Sequence, residues 1–380
     1  MKVTEMTTTR GRDQFYPTPP ALAEKMLAGL DMMYVHSVLE PSAGKGDLID
    51  AIGRKNLAMY QHDRAIEVDF CEIDPYLRQI CKYNFSEEKK SEIYEKYRPL
   101  QQRSYSALSE SEKREHRRLD RELDLFRKTK VYCVHDDFLT YRTYKHYDLI
   151  LMNPPYGGNE KNEVKRHFPA DLSSSETADL FMVVIQYRLK ARGRAAVILP
   201  DGFLFGTDNA KLAIKEKLLR EFNLHTIIRL PGSIFAPYTS IATNILFFNN
   251  EKAEGAAEGF STKETWFYRL DMPEGYKHFS KTKPMQAAHC QPIKDWWQNR
   301  VEMIDAESGD EKSRRFSAQE LMDFGLNFDQ CKFPKEEEEV LRPEELLKQY
   351  HEKRTALDAK IDQTLSEIQK ILGIDIKIED

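Results

Sequence analysis

Short apolar runs, each closed by a polar or a glycine- and proline-rich turn, recur along most of the chain. They predict strands at 35–39, 66–73, 131–134, 147–153, 194–199, 224–230, 243–248 and 266–270. Between them the apolar positions switch to helical spacing, at 20–30, 48–52, 176–190 and 211–222. Strands alternating with helices predict an α/β fold built on a parallel sheet. The link from 231 to 242 is too short for a crossover, so the strand at 243–248 is expected to run in reverse. From 86 to 130 Lys, Arg and Glu dominate, and Ile93, Tyr94, Tyr97, Leu119, Leu123 and Phe126 fall on helical stripes. That pattern predicts a charged helical hairpin inserted between two strands. A solvated excursion is favoured over a nucleic-acid arm, although Lys113, Arg114, Arg117, Arg118 and Arg121 make one basic helical face.

Beyond 250 the pattern is sparser. A polar, small-residue linker covers 251–261; Asp295-Trp296-Trp297 opens a helix or forms an anchor; Phe316-Ser317-Ala318-Gln319-Glu320 reads as a capped helix start. The last helix, Pro343–Leu372, carries Leu347, Tyr350, Leu357, Ile361, Ile368 and Ile371 at alternating three and four spacings, interrupted at Arg354 and Thr364. Such a stripe on an otherwise charged helix suits docking to a partner helix rather than a core. The organisation expected is a leading segment and helix at 1–34, an α/β domain at 35–250, an extension of it at 251–335, and a docking helix at 336–380.

The candidate chemistry sits where strands end. The run Tyr147-Asp148-Leu149-Ile150-Leu151-Met152 stops at Asn153-Pro154-Pro155-Tyr156. Proline cannot extend the ladder, so a stiff loop is left at the strand's carboxyl end, where open α/β sheets bind ligands. The Asn153 amide oxygen and the Pro154 carbonyl can accept the hydrogens of an exocyclic amine, and Tyr156 can stack on a planar base. Upstream, Glu40-Pro41-Ser42-Ala43-Gly44-Lys45-Gly46-Asp47 joins a strand to a helix, which is how backbone approaches a nucleotide-like cofactor. It lacks the Gly-Lys-Ser/Thr ending of a P-loop, which argues against a nucleoside triphosphatase. Glu72-Ile73 ends the next strand, placed for ribose hydroxyls, and Asp137-Phe138 sits just past the end of the one after, suited to hold an adenine by its amine and its face. Near the start, Gln14-Phe15-Tyr16-Pro17-Thr18-Pro19-Pro20 forms a rigid segment with Thr18 placed to cap the helix that follows. The polar loop at 157–175 is long enough to move over the site.

Composition adjusts this picture in two ways. No apolar run reaches membrane-spanning length, the first residues lack the apolar core of a signal peptide, and the five cysteines form no CxxC pair, so a cytoplasmic, reduced protein without a structural metal is expected. The net charge of −5 is unusual for a protein that grips DNA alone, and moves most phosphate contacts to a local patch or a partner.

In their order, the segments 40–46, 72–75, 137–138 and 153–156 resemble the γ class of amino-methylating DNA methyltransferases, S-adenosylmethionine enzymes acting on adenine N6. The stretch from Leu180-Phe181 through Gly193-Arg194-Ala195-Ala196-Val197-Ile198-Leu199-Pro200-Asp201-Gly202-Phe203 is similar to the modification subunit of type I restriction-modification systems. So are Arg229-Leu230-Pro231-Gly232-Ser233-Ile234-Phe235-Ala236-Pro237-Tyr238 and the Phe-x-Thr-Pro element at 15–19. The resemblance implies a seven-stranded Rossmann-like methyltransferase sheet, with Phe15, Thr18 and Pro19 lining the methyl-donor pocket. It implies a flipped adenine stacked on Tyr156, with Phe235 over its other face. Double-stranded DNA and a DNA-specificity subunit are the implied partners; whether a restriction subunit joins them is left open by the sequence. The chain departs from the family in lacking its long N-terminal helical domain, in carrying the hairpin, and in reading Pro-Ser-Ala-Gly-Lys-Gly at the glycine turn. A solitary adenine methyltransferase, and more distantly a protein-glutamine or RNA methyltransferase, are the alternatives.

Overall fold

A computed structural model of the chain describes residues 16–59, 65–305, 309–333 and 343–372. In chain order, α1 (Pro20–Ala28) precedes β1 (Ser37–Glu40), α2 (Asp47–Met59) and β2 (Ile66–Cys71). Then α3 (Pro75–Asn84), α4 (Glu87–Gln101) and α5 (Glu110–Lys128) lead to β3 (Thr129–His135) and β4 (Tyr147–Met152). Next come α6 (Asn162–Lys165), α7 (Thr177–Arg188), β5 (Leu189–Pro200), α8 (Asp201–Phe205), α9 (Asn209–Glu221), β6 (Asn223–Arg229) and β7 (Thr243–Asn249). The extension adds β8 (Glu264–Arg269), α10 (Gln291–Gln298), β9 (Met303–Ile304), β10 (Glu311–Ser317) and α11 (Ala318–Asp323); α12 (Pro343–Leu372) ends the described chain.

All the strands pair into one sheet, ordered β3-β2-β1-β4-β5-β7-β6-β8-β10-β9. The central strands are parallel, with Leu39 opposite Ile150 and Met152 opposite Val197. They read as unbroken apolar runs because helices cover both faces. One core packs α1, α2 and α10 against one face, and a second packs α7, α9 and α11 against the other. Along the first seven strands β7 is the reversed one, as the short link from β6 requires. The sheet does not stop at seven. β8 runs parallel to β6, and β10 and β9 pair antiparallel beyond it, so the extension lengthens the same sheet and brings a second reversed strand.

The insertion is a helical hairpin, α4 against α5, with Ile93, Tyr97, Leu119, Leu123 and Phe126 buried between them. Two residues of its basic face are paired from within, Arg118 with Glu115 and Glu122 and Lys113 with Glu110, while Arg117 bonds the Tyr105 hydroxyl. The hairpin meets the sheet layer at Gly53 of α2, whose missing Cβ makes room for Leu125 and Thr129. One local reading is corrected. The helix around Trp296 and Trp297 begins earlier, at Gln291, and the two indoles act as its anchor, Trp297 filling the space beside Gly29. The loop at 157–175 holds α6 and is tied at its base, Glu160 N donating to Ser175 O and Thr177 N to Gly158 O. The helix start at Ser317 has its expected capping box with Glu320.

By internal contacts the chain divides into two compact units, Met1–Phe333 and Pro334–Asp380. Within α12, Leu347, Tyr350, Leu357 and Ile361 are each more than half exposed. Among the described residues no helix is long and apolar enough to cross a membrane, and no group of acidic, histidine and cysteine side chains could hold a metal.

Candidate active site

Because β1, β2, β3 and β4 are parallel neighbours, their carboxyl ends deliver four short loops to one edge of the sheet. A cleft of about 540 Å³ opens there. Its wall takes Glu40, Ser42 and Gly44 from the first loop, Glu72 and Ile73 from the second, Asp137 and Phe138 from the third, and Asn153 with both prolines from the fourth. Tyr16, Pro17 and Thr18 close one side, and Thr177 and Phe181 of α7 another. Segments far apart in the chain thus meet in one cavity.

The glycine turn depends on its glycines. Gly44 and Gly46 have φ of +56° and +93°, and a Cβ on Gly46 would lie 2.6 Å from the Phe85 ring. The turn is then pinned by carboxylates. Glu72 accepts from Gly44 N at 2.7 Å and Asp74 N at 2.8 Å, one bond to each oxygen, which leaves each oxygen a further lone pair toward the cleft. Glu40 accepts from Ser42 through Oε1, while its Oε2 is buried with no hydrogen-bond partner. Burial, and then the neighbouring Glu72 and Asp47, push the Glu40 carboxyl well above the usual range; burial also raises Glu72. A buried carboxylate oxygen aimed into a cleft without a partner suits a cationic ligand group. Asp137 lines the cleft with its oxygens on Leu139 N and Thr140 Oγ1. Phe138 lines it too, packed against Phe181, and Ile73 stands 63% exposed at the rim.

At the fourth loop the Asn153 amide has a forced orientation. Its Nδ2 donates to Tyr16 O at 3.0 Å and Thr18 Oγ1 at 3.2 Å, and a backbone carbonyl can only accept. The amide oxygen therefore faces Tyr156, whose hydroxyl donates to it. The Thr18 hydroxyl is occupied by Asn153 and gives α1 no side-chain cap, so the expected cap is replaced by a bond to the catalytic-loop candidate. Tyr156 is only 2% exposed and stacks on Tyr16, with ring centroids 5.5 Å apart and planes 14° from parallel.

Phe235 is not brought to the cleft. It is 1% exposed, in the same core cluster as Tyr156, because the turn buries Ile234 and Phe235 and leaves Pro237 and Tyr238 to solvent. Phe15 lies outside the described residues. Sequence reasoning missed Tyr16 as a ring partner, along with Thr177 and Phe181. The tyrosine's place beside the Thr-Pro element was the available signal for the first; the α7 residues had none.

A family model described as N-6 DNA Methylase matches residues 118–340. The methylase subunit of the type I restriction enzyme EcoEI from Escherichia coli is 40% identical over 227 residues, which is 60% of this chain and 44% of that one. The StySPI methylase subunit from Salmonella potsdam is 33% identical over 38% of this chain and 27% of its own. The crystal structure of the EcoKI M protein superposes with a TM-score of 0.58 at 20% identity, covering 92% of this chain and 73% of that one. The chain spans less than half the length of these curated relatives.

Proposed function

The chain belongs to the N-6 DNA methylase family, and from that premise we propose that it transfers a methyl group from S-adenosylmethionine to N6 of adenine in DNA. The observation that carries the reading is the single cleft in which Asn153, Pro154 and Pro155 meet Glu40, Glu72 and Asp137. The donor set fits the cofactor. Glu40 Oε2 would take its ammonium end, Glu72 its ribose hydroxyls through the free lone pairs, and Asp137 its adenine amine between Ile73 and Phe138. Gly44 and Gly46 let the turn approach it closely, beside Pro41 and Ser42, and Thr18 would border it near Asn153, whereas Pro19 caps α1 and does not line the cleft. When bound, S-adenosylmethionine supplies an electrophilic methyl group on a sulfonium sulfur.

The chain's own part is orientation. Adenine N6 lies inside the base stack, so the target nucleotide has to be flipped out. Asn153 Oδ1 and the Pro154 carbonyl then accept its two amine hydrogens, leaving the nitrogen lone pair to face the donor, and Tyr156 presents the stacking surface. No strong base is needed beforehand, because the proton leaves readily once nitrogen carries the extra bond. Catalysis by positioning and fixed dipoles of this kind supplies several kcal/mol.

We place the chain as a cytoplasmic modification subunit of a type I-like restriction-modification system. A DNA-specificity subunit reads the sequence and docks on the exposed apolar stripe of α12, and a restriction subunit completes the assembly. The net charge of −5 and the unsatisfied stripe support a partner that brings most phosphate contacts. The test is tritium transfer from labelled S-adenosylmethionine to unmethylated genomic DNA, by the chain alone and co-purified with the specificity subunit. Transfer only in the complex is expected. Site-specific transfer by the chain alone makes it a solitary enzyme, and no transfer in either form sinks the assignment.

A further inference from the structure

The stacking face offered to the target base is already covered. Tyr16 lies nearly parallel on Tyr156 at 5.5 Å between centroids, an offset stack with no gap for a third ring. A base occupies about 3.4 Å of stacking height, so a sandwich needs aromatic planes roughly 7 Å apart. The amide oxygen meant for the amine is covered as well, by the Tyr156 hydroxyl. Two of the loop's three recognition elements, the amide oxygen and the ring face, are thus satisfied internally.

The Tyr16 residue contributes through two separate parts. Its backbone carbonyl receives Asn153 Nδ2 and fixes which way the amide points; its ring covers Tyr156. The Thr18 hydroxyl holds the same amide nitrogen, so the amide keeps its orientation when only the ring moves. The ring borders the open cleft and is half-buried, whereas Tyr156 beneath it is buried in the core. Of the two rings, Tyr16 is the more exposed and the one that borders the cleft.

We infer that the Tyr16 side chain is a resident placeholder for the target base: it stacks on Tyr156 until a flipped adenine displaces it, while the Tyr16 carbonyl keeps Asn153 aimed. The inference rests on the proposed adenine methylation. It makes base entry an exchange, one aromatic stack for another, so that a correctly presented base is admitted and Tyr156 is never left bare to water. It also gives the Tyr156 hydroxyl a role, since releasing Asn153 Oδ1 to the incoming amine is part of the same exchange.

The experiment uses the full chain with S-adenosylhomocysteine and a free nucleoside, 2-aminopurine 2′-deoxyriboside, whose fluorescence is quenched on stacking, so that neither a DNA site nor a partner is required. Tyr16→Ala removes the ring and keeps the carbonyl; its nucleoside Kd is expected to fall at least about five-fold below wild type. Tyr16→Leu, which keeps bulk without a planar face, is expected to fall likewise, and Tyr16→Phe to stay within about two-fold of wild type. Adding Tyr156→Ala to Tyr16→Ala should abolish the quenching. Calorimetry with S-adenosylhomocysteine and thermal melting establish that each variant is folded with its cofactor cleft intact. With those controls normal, unchanged or weaker nucleoside binding in Tyr16→Ala and Tyr16→Leu overturns the inference, and weaker binding would make Tyr16 a second wall of the base slot. Failure of the wild type itself to bind S-adenosylhomocysteine or S-adenosylmethionine is a different result, which overturns the methylation reading and the placeholder with it.

Discussion

At the residue scale the sharpest expectation concerns Asn153. Asn153→Ala should abolish methyl transfer while leaving S-adenosylmethionine affinity within a few-fold, since the amide is turned to Tyr16 and Tyr156 rather than to the carboxylates. Calorimetry beside a tritium-transfer assay checks this, and retained turnover would remove Asn153 from catalysis. Glu72→Ala should weaken cofactor binding by ~1–3 kcal/mol, the usual cost of a charge-assisted hydrogen bond, and Asp137→Ala should weaken it as well. Unchanged affinity in both would displace the cofactor from this cleft. Glu40 adds a pH dependence. Its carboxyl is raised in the folded protein, so between the ordinary carboxylate range and that raised value the folded state binds more protons than the unfolded, and Glu40's contribution to stability is lost as pH rises through this window. A cationic ligand favours the ionised form, so S-adenosylmethionine affinity should rise with pH across the same window, with proton release seen in calorimetry. Glu40→Gln should flatten that profile.

The strand-end residues were legible because their positions follow from where apolar runs stop: Glu40 ends a strand, Glu72, Asp137 and Asn153 lie one or two residues past one, and parallel pairing collects strand ends at one edge. Phe235 was not, because a turn rich in apolar residues can face a cleft or a core, and only the packing around Tyr156 decides. Thr18 shows the same limit at smaller scale. A hydroxyl just ahead of a helix reads as a cap, yet the partner it takes is an amide 135 residues away.

Among the elements, the sheet's extension was hidden for a different reason. The alternation of β10 is dominated by charge, Glu311-Lys312-Ser313-Arg314-Arg315-Phe316, with Phe316 and Ser313 buried, so it carried no apolar run to read. The hairpin was visible from its stripes but its attachment was not, because that rests on a glycine. A side chain at Gly53 would place Cβ 2.3 Å from Leu125 Cδ1 and 2.9 Å from Thr129 Oγ1. Gly53→Leu should therefore cost about 1–3 kcal/mol despite the better helix propensity of leucine, the usual range for overpacking. A lower thermal midpoint is the expected reading; an unchanged one would mean the hairpin is not seated on α2.

Across the whole molecule, the candidate active-site cleft and the apolar stripe fall in the two different compact units. Removing Pro343–Asp380 should leave a folded protein that binds S-adenosylmethionine with wild-type affinity but no longer co-purifies with a specificity subunit. Co-purification by the truncated chain would give α12 some other task.

The hairpin also bears on how the chain finds this fold. Pairing β2 with β3 means closing a loop of residues 72–128, most of which lie in α3, α4 and α5. Of these, α4 and α5 bury their own satellite core through contacts that are close in sequence, and such contacts form early. Once they have formed, the free chain left to be closed is a few short connections, and each halving of a flexible loop recovers about 0.6 kcal/mol of closure entropy. An insertion that looks like a burden on the sheet thus works as a splint, carrying the chain from the end of β2 back to the start of β3 before the cleft that they border exists.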